Sequence, residues 1–361
     1  MKKHRETLLY STFILTLANF VIRLMGFVYK IVLSRMAGAE TMGLIQLILP
    51  LYFTFISIVA SGIPIALSRT VAKHISKEDR QAIRNTVTSS VIGISILSGI
   101  LFFIFILNID FLSRKVLSYD KTKIPLILLS PCIVIIAIKS IFKGFFYGMK
   151  KVHIPAMSDI FEQIIRIGLV FFLFYYIKPD SIETSACIIV VGMVIGELVS
   201  LLFLHVKFYG IAKDSQTSRT PTYEHTPTIR HIGKIALPIT ITRVVLSLVS
   251  SVSAVIVPRQ LVMRGMTPAQ ALNSFGIVGS MVMPLFFIPF TIINGLSTIL
   301  IPNISEDMTA KRWDSIRDKI SKAIIITSAT AFFCSGILAV LGSHIGLILF
   351  KEPDVGKYLV P

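Results

Sequence analysis

Asp159, Glu162 and Arg166 stand at i, i+3 and i+7 in the stretch SDIFEQIIRIG, a spacing that puts two carboxylates and a guanidinium on one helical face. Gln163 lies beside them. Such a face has three chemical uses. Glu162 and Arg166 can neutralise each other as an i, i+4 pair. The carboxylates of Asp159 and Glu162 can carry a proton or a sodium ion. The guanidinium can hold a phosphate or pyrophosphate headgroup through its planar, permanently charged fork. Upstream, Lys139 and Lys143 repeat the i, i+4 spacing and can meet this face across the short turn MKKVH. Glu197 and Arg243 are single charges without local partners, and each needs a cavity or another helix.

These residues matter because of where they sit. The chain has 361 residues, of which 54% are hydrophobic and 15% charged, with a mean hydropathy of +0.79. That balance excludes an ordinary soluble domain and predicts an all-α, polytopic membrane protein. Nine apolar runs are long enough to cross a hydrocarbon core of about 30 Å. They cover 8–33, 43–67, 85–107, 124–148, 154–177, 184–206, 235–257, 270–301 and 323–350. The first run is too long for the apolar region of a secretory signal and carries Arg23, so it reads as a span.

An ionisable residue at mid-bilayer costs roughly 2.5–3.5 kcal/mol on insertion scales, so it ordinarily faces a partner or a watery cavity. Cations inside the spans are Arg23, Lys30, Lys139, Lys143, Arg166 and Arg243; anions are Asp159, Glu162 and Glu197. Lys30 and Lys143 lie close enough to helix ends for their stems to snorkel to the interface. Arg23 is too deep for that. The surplus of cations predicts an interior suited to an anionic substrate and poorly suited to a cationic drug. Substrate-cavity candidates are therefore Arg23, Lys139, Asp159, Glu162, Arg166 and Arg243, and candidates for ion coupling are Asp159, Glu162 and Glu197.

The formal net charge of +17 needs no nucleic acid. Lys and Arg favour one set of loops by about two to one, which predicts a cytoplasmic N-terminus and basic loops facing anionic lipid. Cys132, Cys187 and Cys334 each fall inside a span and read as packing residues, with no metal-ligand spacing. No nucleotide-binding, nucleophile-elbow or zinc motif is present, so neither a cofactor nor an enzymatic activity is expected.

Span two (GLIQLILPLYFTFISIVASGIPIALS) and span eight (GIVGSMVMPLFFIPFTIINGLSTILIPNIS) share a Gly before a Pro-Leu-aromatic step and a second Gly after it. A six-span period points to two halves related by an axis along the membrane normal. The expected division is a six-helix lobe at 1–207, a Ser-, Thr- and Pro-rich cytoplasmic linker at 208–230, and a partial second lobe of three helices at 231–361. That incomplete lobe predicts a piece of a longer chain.

RLMGFVYKIVLSRMAGAETMGL, LPLYFTFISIVASGIPIALSRTVA, FKGFFYGMKKVHIPAMSDIFEQIIRI and LSTILIPNISE together resemble the stage V sporulation protein B group. That group belongs to the multidrug/oligosaccharidyl-lipid/polysaccharide exporter superfamily and is related to lipid II flippases. The resemblance implies a MATE- or flippase-like bundle of two lobes with alternating access. It implies movement of an undecaprenyl-type lipid-linked saccharide across the cytoplasmic membrane for spore cortex or cell wall, with cell-wall synthases as partners. By the same resemblance Arg23 matches a first-helix arginine that lines the cavity in flippases, GFFYG the turn after helix four, and EQIIRI the E-Q-x-x-R stretch of helix five. Arginines that line the second and eighth helices of typical lipid II flippases have no counterpart here. Two other readings stay open: a cation-coupled multidrug antiporter of the same superfamily, and a non-transporting truncated membrane protein.

Overall fold

A computed structural model of the chain describes residues 2–213, 229–287, 300, 304, 307–308 and 310–359. Among the described residues every regular element is helical, and eight helical stretches are long and apolar enough to cross a membrane. The chain is an all-α, multi-pass membrane protein. Its helices are α1 (Lys2–Ala60), α2 (Ile63–Ser76), α3 (Arg80–Leu107), α4 (Ile109–Phe111), α5 (Lys123–Leu129), α6 (Cys132–Gly148), α7 (His153–Ile177), α8 (Ile182–Lys213), α9 (Ile229–Met263), α10 (Pro268–Gly276), α11 (Trp313–Phe350) and α12 (Val355–Leu359). Residues 112–117 and 277–282 form short π-helices.

Eight stretches replace the nine expected because the first two spans run on as α1. The connection SRMAGAETM contains helix formers and no proline, so a single residue makes the bend: Gly38, at φ 78°, ψ 164°, a conformation open to glycine. The second span instead breaks at Ser61–Gly62, and Pro64 then opens α2 from the first turn, where its missing N–H costs nothing. The linker segment 214–228 and residues 288–299 of the eighth span, with Gly295, lie outside the described residues, as does most of LSTILIPNISE.

Two compact units result. One comprises Met1–Gly26 and Leu44–Ala271, the other Phe27–Gly43 and Leu272–Pro361. In the first, Tyr52, Phe105, Phe146, Leu126 and Ile133 are fully buried and fix the packing of α1, α3, α5 and α6. In the second, Ala39, Ile277, Met281, Leu285, Phe350 and Val355 form the core. Large apolar residues such as Phe103, Phe172, Phe332 and Val340 stay exposed, as expected of helix faces turned to lipid, and Tyr175 and Tyr176 stand exposed in the last turn of α7.

A buried carboxylate is held by the start of α11. Asp307, 2% exposed, accepts hydrogen bonds from Ser315 Oγ at 2.6 Å and Lys319 Nζ at 2.5 Å, and pairs with Arg312 at 2.9 Å. The hydrogen bond from Lys319, then that from Ser315, holds its carboxyl below the ordinary carboxylate value. A depressed folded-state value means stabilisation that is complete above the unfolded pKa, about 4, and is lost as pH falls through the folded one. The thermal midpoint should therefore drop on acidification below about pH 4, and Asp307→Asn should lower it at neutral pH while flattening that acid limb. An unchanged acid limb in the variant would assign the loss to other carboxylates.

Candidate functional site

The site is built by α6, α7 and α8 of the first unit. The turn between α6 and α7 aligns the charged faces of these helices: Lys150 adopts a left-handed φ of 59°, Lys150 N–H donates to Tyr147 O at 3.0 Å and Lys151 N–H to Phe146 O at 3.0 Å. These two bonds make a Schellman cap, here with lysine at the left-handed position. Gly148, within the GFFYG stretch, is not the turn residue. A Cβ there would lie 2.7 Å from Val71 Cβ, so this glycine lets α2 approach α6. On the other side, Gly192 and Gly196 bring α8 onto α7. A Cβ would stand 2.2 Å from Val170 Cγ2 at the first and 3.0 Å from Glu162 O at the second. Small residues four apart allow this approach of helix backbones in a membrane.

Lys139 is central to the resulting cluster. Its ammonium donates to Glu162 Oε2 at 2.7 Å and to Glu197 Oε2. Arg166 donates to Glu162 Oε1, lies 3.8 Å from Glu197 Oε1, and reaches Gln163 Oε1 at 3.3 Å. Lys139 is 5% exposed and Gln163 7%. Two cations and two anions thus satisfy one another across three helices. A second pair follows nearer the α6–α7 turn, where Lys143 donates to Asp159 at 2.6 Å. Around this network Tyr52 and Cys132 hydrogen-bond through their side chains, and Ser158 Oγ meets Ser200 Oγ at 2.5 Å. Arg166 Nε is buried and has no acceptor among the described residues.

The structure joins four of the predicted residues, Lys139, Glu162, Arg166 and Glu197, into one ion network. Glu197 finds its partners on helices distant in sequence. Lys143 does not simply snorkel to a helix end: the α6–α7 cap places it against Asp159, and the pair shields both charges. Arg23 and Arg243 stand outside this network; both are exposed. Three residues beyond Arg23, a Cβ on Gly26 would lie 3.7 Å from Gln163 Nε2, so that part of α1 approaches the charged face of α7. Arg243 belongs to the face of α9 that carries Thr240 and Ser247. A Cβ on Gly62 would stand 2.8 Å from Thr240 Oγ1, and Thr54 Oγ1 lies 3.0 Å from Ser247 Oγ and 2.9 Å from Ser251 Oγ. This hydroxyl seam falls outside the sequence candidates, although Ser247 and Ser251 at i, i+4 within a span are its signal.

The arrangement sorts the nine ionisable positions. Lys139, Lys143 and Arg166 are matched by Asp159, Glu162 and Glu197. The cationic surplus therefore rests on Arg23, Lys30 and Arg243, none of which has an ion-pair partner among the described residues. No group of three or more potential metal ligands occurs among those residues.

A family model described as polysaccharide biosynthesis protein matches residues 8–308. Stage V sporulation protein B of Bacillus subtilis (strain 168) is 28% identical over 357 residues, which cover 98% of this chain and 69% of that protein. Lipid II flippase MurJ of the same organism is 24% identical over 336 residues, covering 88% of this chain and 61% of the flippase. Among solved structures, an inward-facing multidrug resistance MATE family transporter of the MOP superfamily superposes with a TM-score of 0.68 at 14% identity, covering 95% of this chain and 77% of that one. This last likeness shows the fold, which is that of MATE-type transporters.

Proposed function

We propose that this chain, which belongs to the polysaccharide biosynthesis protein family, is a transporter that moves a lipid-linked oligosaccharide across the cytoplasmic membrane by alternating access. The observation that carries the reading is the sorting of charge. Six buried or half-buried ionisable groups cancel in pairs, and the unpaired remainder is cationic: Arg23, Lys30 and Arg243. Guanidinium groups kept free of carboxylates are available to a phosphate or pyrophosphate headgroup, while the polyprenyl chain of the substrate stays in the bilayer. The paired residues Lys139, Asp159, Glu162 and Arg166 then serve as the rigid wall of the cavity. The relatives' names, a sporulation protein and a lipid II flippase, agree with a precursor of spore cortex or cell wall as the substrate, and cell-wall synthases, which consume such precursors, are the partners this reading proposes.

In this reading the N-terminus is cytoplasmic, residues 1–207 and 231–361 are the two lobes, and the basic cytoplasmic loops lie against anionic lipid. Trp313 and Arg317 at the start of α11 suit that interface. A cation-coupled antiporter would use Asp159, Glu162 or Glu197, but each of these already holds a Lys or Arg that an incoming ion would have to displace. The test is reconstitution in vesicles, comparing translocation of an undecaprenyl-pyrophosphate-linked saccharide with sodium-driven dye efflux. Headgroup translocation without efflux is expected, and efflux alone would overturn the proposal.

A further inference from the structure

Two arginines outside the charged site make the same unusual contact in different units. In the first unit, Arg259 near the end of α9 directs Nη2 to Val116 O at 2.8 Å, Ser118 Oγ at 2.6 Å and the carbonyl of Lys115. In the second, Arg35 directs Nε to Leu349 O at 2.6 Å and Nη2 to the carbonyl of Ile348. Each arginine caps a helix end, where carbonyls lack intrahelical donors. The capped carbonyls stand three and two residues before a left-handed residue in both cases, Ser118 at φ 56° and Lys351 at φ 56°.

The receiving loops correspond further. Ser113 Oγ meets Thr122 Oγ1 at 2.8 Å, and a Cβ on Gly346 would stand 2.8 Å from Val355 Cβ. One separation in sequence carries Ser113 to Gly346, Ser118 to Lys351, Thr122 to Val355 and Gly43 to Gly276. The donors fall nine residues short of that separation but hold like places, closing KIVLSR and AVIVPR at the ends of spans one and seven. Within the second unit Gly43 and Gly276 touch: a Cβ on Gly276 would lie 2.5 Å from Gly43 N. Equivalent residues of two repeats touch only near the axis that relates them, so the repeat is present in the packing as well as in the sequence.

The connectivity of the latches gives them a role. Arg35 runs from the first span of the first half to the third span of the second, and Arg259 from the first span of the second half to the third span of the first. Both exchanges are on the side assigned as outer. When halves rock about a central path, contacts that cross between them on one face must break as that face opens. We propose that Arg35 and Arg259 are paired latches of an outer gate, engaged in this structure, whose release opens the path outward. This rests on the two-half transporter reading above but not on the identity of its substrate.

Spin-label distances test it directly, in the full chain with Cys132, Cys187 and Cys334 replaced by serine. One label pair, Lys121→Cys with Met263→Cys, spans the Arg259 latch, and a second, Met36→Cys with Lys357→Cys, spans that of Arg35. Each parent should show one dominant short distance. Arg35→Gln with Arg259→Gln should add a second, longer population in both pairs. Arg259→Lys, which keeps the charge but donates from a single point, should give that population at lower weight in the first pair only. This variant keeps the proposal testable if the double glutamine variant fails to fold. Unchanged distances in the folded variants would overturn the latches. Because no substrate enters the measurement, failure of saccharide translocation with a positive distance result would discard the substrate reading and leave the latches standing.

Discussion

Lys139→Met is expected to destabilise the protein by about 3–5 kcal/mol, the range for removing one member of a buried ion network. Lys139 is 5% exposed and serves two carboxylates at once, Glu162 and Glu197. Without it those two carboxylates face each other across α7 and α8, and only Arg166, which lies 3.8 Å from Glu197, remains to compensate both. The loss is thus an uncompensated charge rather than a missing contact. It follows that Lys139→Met with Glu197→Gln should recover much of the stability, since the remaining Glu162 keeps Arg166 as its partner. Lys143→Met should cost far less, because the Lys143 and Asp159 side chains are 20% and 30% exposed and water can replace the partner. Thermal unfolding in detergent measures all three. A double variant no better than Lys139→Met would mean that the cost is lost packing of the lysine stem and not charge imbalance.

Much of this network is legible in the amino-acid sequence. Helical spacing alone puts Asp159, Glu162 and Arg166 on one face, and the short turn MKKVH, which makes the two helices adjacent and antiparallel, allows Lys139 and Lys143 to meet it. The partner of Glu197 is a different matter. It depends on how deeply α8 settles onto α7, and this is set by Gly192 and Gly196, whose role emerges only when the opposing atoms, Val170 Cγ2 and Glu162 O, are known. The fusion of the first two spans is hidden for a related reason: Ser34, Arg35, Glu40 and Thr41 interrupt the apolar run around Gly38 and read as a loop, whereas the helix runs on and bends only at the φ angle of Gly38. Hydroxyl contacts such as Thr54 with Ser247 and Ser251 escape because Ser and Thr are common in membrane helices, where they can return a hydrogen bond to their own backbone, as Ser251 does to Ser247 O at 3.0 Å.

The same sorting separates residues that hold the fold from residues that handle a ligand. A paired charge is expected to show its loss in stability. An unpaired, exposed one has little to lose in the apo protein and shows its loss in transport. Arg23→Gln and Arg243→Gln should therefore leave the thermal midpoint nearly unchanged, within the roughly 0.5 kcal/mol typical of surface positions.

Their effect on translocation should be large. Hydrogen bonds between a guanidinium and a charged phosphate contribute about 1.5–3 kcal/mol, which is roughly a 10- to 100-fold loss per arginine at subsaturating substrate. Losses in the double variant should multiply if both arginines hold the same headgroup without touching each other. Lysine at either position should fall between the parent and glutamine, because it restores charge but not the bidentate fork. Arg166→Gln is the contrast that gives the comparison its force: Arg166 contacts Glu162 and Gln163, so its loss should lower stability first. Initial rates of headgroup translocation in vesicles, measured beside the midpoint of each variant, decide the matter. Parent-like rates in both Arg23→Gln and Arg243→Gln would remove the free cations from the transport path, and the charge surplus would then need another purpose.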